Sequence, residues 1–199
     1  NNYSTDNGVM GTKISYYEPY IGTLLETFEK FSNNKTDSSR PEIWENAFPE
    51  CKHIFMTRRN KVRLAVSWWK AIQTGTWHRK KDEHNIKNNT SGIKQEQLVF
   101  EDKYSYDAIN HLLIESVLRE AGIQEFFFFF FITPLTITYE DFIKDYKGTV
   151  IKILKYLNID TEEINISEPN YEKLADNISE NWVQRFREES QEDWDNKGW

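Results

Sequence analysis

The sequence predicts an α/β fold with a central, mainly parallel sheet covered by helices on both faces, a three-layer αβα arrangement. Three observations point there. Short apolar runs rich in β-branched and aromatic residues recur along the chain, as buried parallel strands do. Longer segments with apolar residues at helical spacing lie between them. The two kinds alternate within 199 residues, enough for one ordinary domain with its own core.

Residues 9–14 (VMGTKI) read as the first strand. A helix follows over 20–31, where Ile21, Leu24, Leu25, Phe28 and Phe31 share one face. Residues 53–57 (HIFMT) form the next strand, and Asn60 is placed to cap a helix carrying Val62, Ala65, Val66, Trp69 and Ile72. Residues 79–97 hold almost no apolar side chains and read as a solvated loop or mobile lid. Periodicity resumes over 107–121 with Ile109, Leu112, Leu113, Val117 and Leu118. The six phenylalanines at 126–131, with Ile132, read as a helix end running into a buried strand. Residues 135–139 (LTITY) form a further strand, and 142–157 one helix with Val150, Ile153, Leu154 and Leu157 inward. The segment 170–199, with Trp182, Phe186 and Trp194, reads as helical and packed on the outside. No repeat and no internal boundary interrupts this pattern, so residues 1–199 are expected to form a single domain.

Composition narrows the function classes. A formal charge of −7 and a pI near 5.2 argue against a general nucleic-acid binder, which carries a basic excess; Arg58, Arg59, Arg63 and residues 79–81 are too local to reverse that. The single cysteine, Cys51, excludes an internal disulfide and fits a reducing compartment. The first residues show no basic start followed by an apolar stretch. The longest apolar run falls far short of the roughly 20 residues of a spanning helix. A cytoplasmic protein without a membrane span is expected.

Residues 57–78 (TRRNKVRLAVSWWKAIQTGTWH) carry the densest chemistry. In an α/β fold the passage from strand to helix is where ligands bind, and Arg59 falls there, where free N–H groups favour anions. Ser67 lies eight residues on, about 12 Å along a helix axis. Arg59 by a charged fork and Ser67 by its hydroxyl are able to grip one phosphate. Arg63, one turn before Ser67, competes for that role. Spacing alone favours a second reading, a solvated helix face. His78, Asp82, Glu83 and His84 match no regular helix-borne metal spacing, and no metal is expected.

The same segment resembles the signature of the bacterial trehalose sulfotransferase family, whose members use 3′-phosphoadenosine 5′-phosphosulfate. NGVMGTKI (7–14) is similar to the strand before that family's first central helix, ITPLTITYEDF (132–142) to its late strand and turn, and LADNISENWVQRF (174–186) to its C-terminal helix. The resemblance implies the P-loop-like sulfotransferase fold and transfer of sulfate to a hydroxyl of a carbohydrate or glycolipid. It also implies a homodimer. Arg59 and Ser67 match the arginine and serine that bind the donor's 3′-phosphate, with Arg63 as the rival cation. Tyr139 matches a tyrosine close to the adenine region. Gln73, Thr74, Trp77 and His78, where the helix ends near the expected cleft, become candidates for the acceptor pocket.

One family element has no counterpart. Sulfotransferases of this kind begin with a strand and a loop, roughly PRSGSTLL, whose N–H groups cradle the 5′-phosphosulfate. EPYIGTLLETF (18–28) lacks the arginine and serine and follows the NGVMGTKI strand instead of preceding it. The fold is therefore expected to be N-terminally incomplete. The family's general base, a glutamate shortly after the loop, falls upstream of Asn1, and no catalytic residue is assigned. His78, the histidine nearest the motif, is a weaker candidate for that role than for a solvated loop. A catalytically inactive relative that binds a nucleotide or a partner is the alternative function.

Overall fold

The computed structural model describes residues 10–16, 18–31, 38–81, 103–162 and 164–195. Among them the order of elements is α1 (Glu18–Phe31), α2 (Arg40–Ala47), β1 (Ile54–Thr57), α3 (Lys61–Thr74), α4 (Tyr106–Phe129), β2 (Leu135–Thr138), α5 (Tyr139–Lys144), α6 (Tyr146–Tyr156) and α7 (Asn177–Ser190). They divide into two compact units. One holds α1, α2 and residues Arg119–Thr133; the other holds β1, α3, the first half of α4 and everything from Pro134 on.

In the larger unit β1 and β2 pair in parallel, with Ile54 beside Leu135 and Thr57 beside Thr138. Parallel strands need a long crossover, and here α3 and α4 lie in the connection. The His53 carbonyl accepts from the Leu135 N–H at 2.8 Å and from the Tyr156 hydroxyl at 3.1 Å, so pairing reaches one residue beyond the strand itself. Asn60 caps α3, its side chain accepting from the Arg63 N–H at 3.0 Å. Gly75 at φ 67° ends the helix, a left-handed position that glycine takes without steric cost. The core lies between α3 (Val62, Ala65, Val66), α4 (Ile109, Leu112) and α7 (Ile178, Trp182, Val183, Phe186). The last four fall at spacings of four, one and three, a single helical stripe.

The smaller unit is an aromatic cluster. Ile21 and Leu25 of α1, Ile43 and Trp44 of α2 and Phe126 of α4 are its buried residues. Trp44 meets the Phe126 ring edge-on at 5.0 Å, and Phe126 stacks on Phe130 at 4.1 Å. The helix α2 starts from a reciprocal box in which the Ser39 hydroxyl takes the Glu42 N–H while the Glu42 carboxylate takes the Ser39 N–H at 2.7 Å.

Several expectations need correction. The sheet has two strands among the described residues, so the three-layer arrangement is not seen. Residues 10–14 form no strand; Ile14 finds its burial against the aromatic cluster instead, without a neighbouring strand to hydrogen-bond. The phenylalanine run does end a helix, α4, at Phe129, and the strand that follows, β2, begins only at Leu135. Phe131 takes a left-handed φ of 55°, the Ile132 N–H returns to the Phe127 carbonyl at 2.9 Å, and Phe128, Phe129 and Phe131 stay exposed. Strand β2 stops at Thr138, and Tyr139 opens α5. The expected helix 142–157 is two helices, because Asp145 leaves helical geometry and accepts from the Gly148 N–H at 2.9 Å; a cap competes with continuation. Helix α7 is not an outer layer at its inner face, since Trp182 and Phe186 are buried in the core, whereas Trp194 is exposed. Of the polar segment 79–97 only residues 79–81 are described, and Lys80 bridges antiparallel to Tyr171; the rest lies outside the described residues.

Candidate functional site

The parallel register brings the ends of β1 and β2 side by side, so Arg58 and Arg59 face Tyr139, Glu140 and Asp141. The Glu140 carboxylate accepts from the Arg59 N–H at 3.0 Å and the Asn60 N–H at 3.3 Å. Partial burial works against its charge, but these two N–H groups, its own and the Arg58 guanidinium hold its pKa below the ordinary carboxylate value. The anion at the start of α3 is thus supplied by the chain itself. The Arg59 guanidinium turns to Asp141, with which it pairs, and donates to the Thr138 hydroxyl at 3.0 Å. The hydrogen bond that Asp141 accepts from Arg59, then the one from Thr138, lowers the Asp141 pKa.

Arg58 turns the other way. Its guanidinium lies 4.7 Å over the Tyr139 ring and 3.8 Å from Glu140, and its buried Nε finds no hydrogen-bond acceptor among the described residues. Burial lowers its pKa, offset in part by Tyr139 and Glu140. Arg58 and Tyr139 form one wall of a recess of about 50 Å³, and α3 adds Arg63, Ser67 and Lys70. These three sit four and three residues apart, on one helical face. Residues Leu174, Ala175, Ser179 and Val183 close it from the α7 side. Three cations and a hydroxyl around so small a volume suit one compact oxyanion.

Each cation already meets a carboxylate. Both terminal nitrogens of Arg63 engage Glu180, at 2.6 Å and 3.0 Å, and Lys70 Nζ lies 2.6 Å from Asp176 and 3.3 Å from the Ser179 hydroxyl. Asp176 also caps α7, accepting from the Ser179 N–H at 3.0 Å. Burial opposes its ionisation, but the Lys70 and Ser179 hydrogen bonds prevail and its pKa falls. The Glu180 pKa falls chiefly through Arg63, then Gln184.

The fold therefore brings Ser67, Arg63 and Tyr139 together and leaves Arg59 out of the lining. Gln73, Thr74, Trp77 and His78 sit at the far end of α3, and none lines the recess. Thr74 there bonds back to the Lys70 carbonyl at 2.9 Å, Trp77 is exposed, and the His78 ring packs 5.5 Å from Tyr171. Lys70 was within reach of sequence reasoning, three residues after Ser67 on the same face. Asp176, Ser179 and Glu180 were not, being more than a hundred residues away with no local signal. Asp82, Glu83 and His84 lie outside the described residues; among those described, no three His, Cys, Asp or Glu side chains gather in metal-binding geometry. No helix among the described residues is long and apolar enough to cross a membrane.

Trehalose 2-sulfotransferase of Mycobacterium tuberculosis is 25% identical over 186 residues, covering 94% of this chain and 63% of its own length. Trehalose 2-sulfotransferase of Mycolicibacterium smegmatis is 23% identical over 189 residues, covering 95% and 64%. The chain thus spans a little under two thirds of these relatives. Residues 2–189 match the Stf0 sulphotransferase profile, nearly the whole sequence, and the chain belongs to the Stf0 sulphotransferase family.

Proposed function

We propose that the protein binds 3′-phosphoadenosine 5′-phosphosulfate and serves transfer of its sulfuryl group to a hydroxyl of a carbohydrate or glycolipid. The observation that carries this reading is the recess at the start of α3, where Ser67 is ringed by Arg58, Arg63 and Lys70 beside Tyr139. A 3′-phosphate has acceptor oxygens for all four of these donors, and an orphaned guanidinium Nε is a group that an anionic oxygen would satisfy. Tyr139 adds a flat ring at the edge for the nucleoside. Arg59, exposed and joined to Asp141, is the second line of positive charge, available once that pair opens.

When bound, the donor supplies a sulfuryl group activated by its phosphate leaving group. The acceptor oxygen attacks sulfur, the bond from sulfur to the bridging oxygen breaks, and the acceptor proton passes to a base. None of the recess residues is a base, so this part of the chain positions the far end of the donor. The relatives' names favour a trehalose-like sugar as acceptor, and we place Gln73, Thr74, Trp77 and His78 as its candidate contacts. A homodimer of single catalytic domains belongs to the same reading.

Titration calorimetry tests it. The protein is expected to bind 3′-phosphoadenosine 5′-phosphate at least about tenfold more tightly than adenosine 5′-phosphate, because charged hydrogen bonds of roughly 1.5–3 kcal/mol go to the extra phosphate. Equal affinities would reject the recess as the phosphate seat.

A further inference from the structure

In the free protein the recess carries its own anions. Arg63 presents its fork to Glu180 with both terminal nitrogens, at 2.6 Å and 3.0 Å, and this two-point grip is the one a phosphate takes from arginine. Gln184, one turn further along α7, donates to the same carboxylate at 2.7 Å and holds it in place. Lys70 is engaged by Asp176 and Arg58 lies beside Glu140. Three cations are matched by three carboxylates, so an incoming phosphate meets a recess that is close to neutral.

The three acids differ in what else they do. Asp176 caps α7 and Glu140 accepts from the Arg59 and Asn60 N–H groups just before α3, so removing either disturbs the backbone at the start of a helix. Glu180 caps neither helix: it lies in the first turn of α7, its side chain about half exposed, and its carboxylate takes hydrogen bonds from Arg63 and Gln184. Its distinguishing property is the fork it occupies.

We propose that Glu180 is an affinity-limiting residue, a carboxylate that stands in for the donor's 3′-phosphate on Arg63 and must be displaced or shared when the nucleotide binds. This rests on the reading of the recess as the phosphate seat. Its consequence is kinetic. A seat with a competing anion one side-chain rotation away releases 3′-phosphoadenosine 5′-phosphate faster than a seat of bare cations, because Glu180 reoccupies Arg63 as the phosphate leaves. The specificity consequence is that only nucleotides able to outcompete a carboxylate, those with the doubly charged 3′-phosphate, hold the site.

The test is calorimetry and stopped-flow dissociation with 3′-phosphoadenosine 5′-phosphate and adenosine 5′-phosphate on the full chain and on Glu180→Gln, Glu180→Ala, Arg63→Ala and the Arg63→Ala/Glu180→Gln pair, each checked for its melting temperature. Partly exposed ion pairs are weak, so Glu180→Gln and Glu180→Ala should tighten binding of the 3′-phosphorylated nucleotide by about 2- to 5-fold, mainly through slower release. Binding of adenosine 5′-phosphate should not change, and the gain should vanish in the double variant. A structural role alone would shift the melting temperature without this selectivity. Unchanged or weaker binding in both Glu180 variants overturns the proposal while the phosphate seat stands, as long as Arg63→Ala still loses affinity. An equal gain for both nucleotides, or a gain that survives without Arg63, overturns it too. If the unmodified protein does not distinguish the two nucleotides, the phosphate seat and this proposal fall together.

Discussion

Two arginines adjacent in sequence, Arg58 and Arg59, end in different environments. One is held over Tyr139 at the recess and the other is drawn out to Asp141 and Thr138. Alanine at Arg63 or Ser67 is therefore expected to weaken 3′-phosphoadenosine 5′-phosphate binding more than alanine at Arg59, with losses at Arg63 of about 1.5–3 kcal/mol; a larger loss at Arg59 would show that it leaves Asp141 to take the phosphate. The acids of the recess make a separate prediction about pH. Asp176 has its folded pKa depressed below 3.8, so in the unfolded chain it binds protons first as pH falls. Its stabilising contribution is complete above 3.8 and is lost as pH drops through the lower folded value. Glu140 behaves likewise from below 4.5. Asp176→Asn keeps a capping side chain but gives up the Lys70 pair, so it should be less stable than the unmodified protein at neutral pH, with the difference shrinking under acid. Thermal melts of both proteins across that range check the sign.

At the scale of elements, two helix ends make a matched comparison. After α6, Asn158 takes the left-handed position at φ 60°, and the Ile159 N–H returns to the Leu154 carbonyl at 2.9 Å. After α4 the same pattern is built on Phe131 at φ 55°. Asparagine tolerates this geometry through its short polar side chain, whereas a phenylalanine Cβ crowds its own backbone. Phe131 is 91% exposed, so its ring gives back almost no burial. Phe131→Gly should stabilise the protein by about 1 kcal/mol, read as a higher denaturation midpoint; destabilisation would mean that the ring is covered in solution. Periodicity saw helices in both places and put the end of α6 within one residue, at Leu157 against Tyr156, whereas its α4 pattern stopped at Ala121, short of Phe129. It ran 142–157 together because Val150, Ile153 and Leu154 continue a helical pattern, and Asp145 breaks it by a local cap that spacing does not register. It missed α2, where only Ile43 and Trp44 are buried, although Ser39 and Glu42 spell out a capping box.

For the molecule as a whole, the 199 residues hold the recess proposed as the phosphate seat but no segment resembling the PRSGSTLL loop. The donors that face the developing charge in group transfer supply a large share of the rate, and loss of even one costs about 100- to 1000-fold. This polypeptide by itself is therefore expected to bind 3′-phosphoadenosine 5′-phosphate yet transfer no measurable sulfate, whereas one joined to such a loop should transfer it. A radiolabelled-sulfate assay with a panel of sugars on both polypeptides decides it. Robust transfer by the 199 residues alone would place a substitute cradle in a segment with none of the loop's residues.

What the sequence by itself determined is local. A strand before Arg58, the Asn60 cap, the amphipathic α3 and the apolar run of β2 all follow from side-chain chemistry within a few residues, because caps, turns and periodicity act over one or two helical turns. The resemblance in residues 57–78 carried the family as well. Only the tertiary structure decided which charges share a space. Arg58 instead of Arg59 lines the recess, Lys70 joins it, and Asp176 and Glu180 arrive from α7 to neutralise it. Those pairings depend on how α3 and α7 pack through Val66, Trp182 and Val183, and packing joins residues a hundred positions apart that carry no local mark of each other.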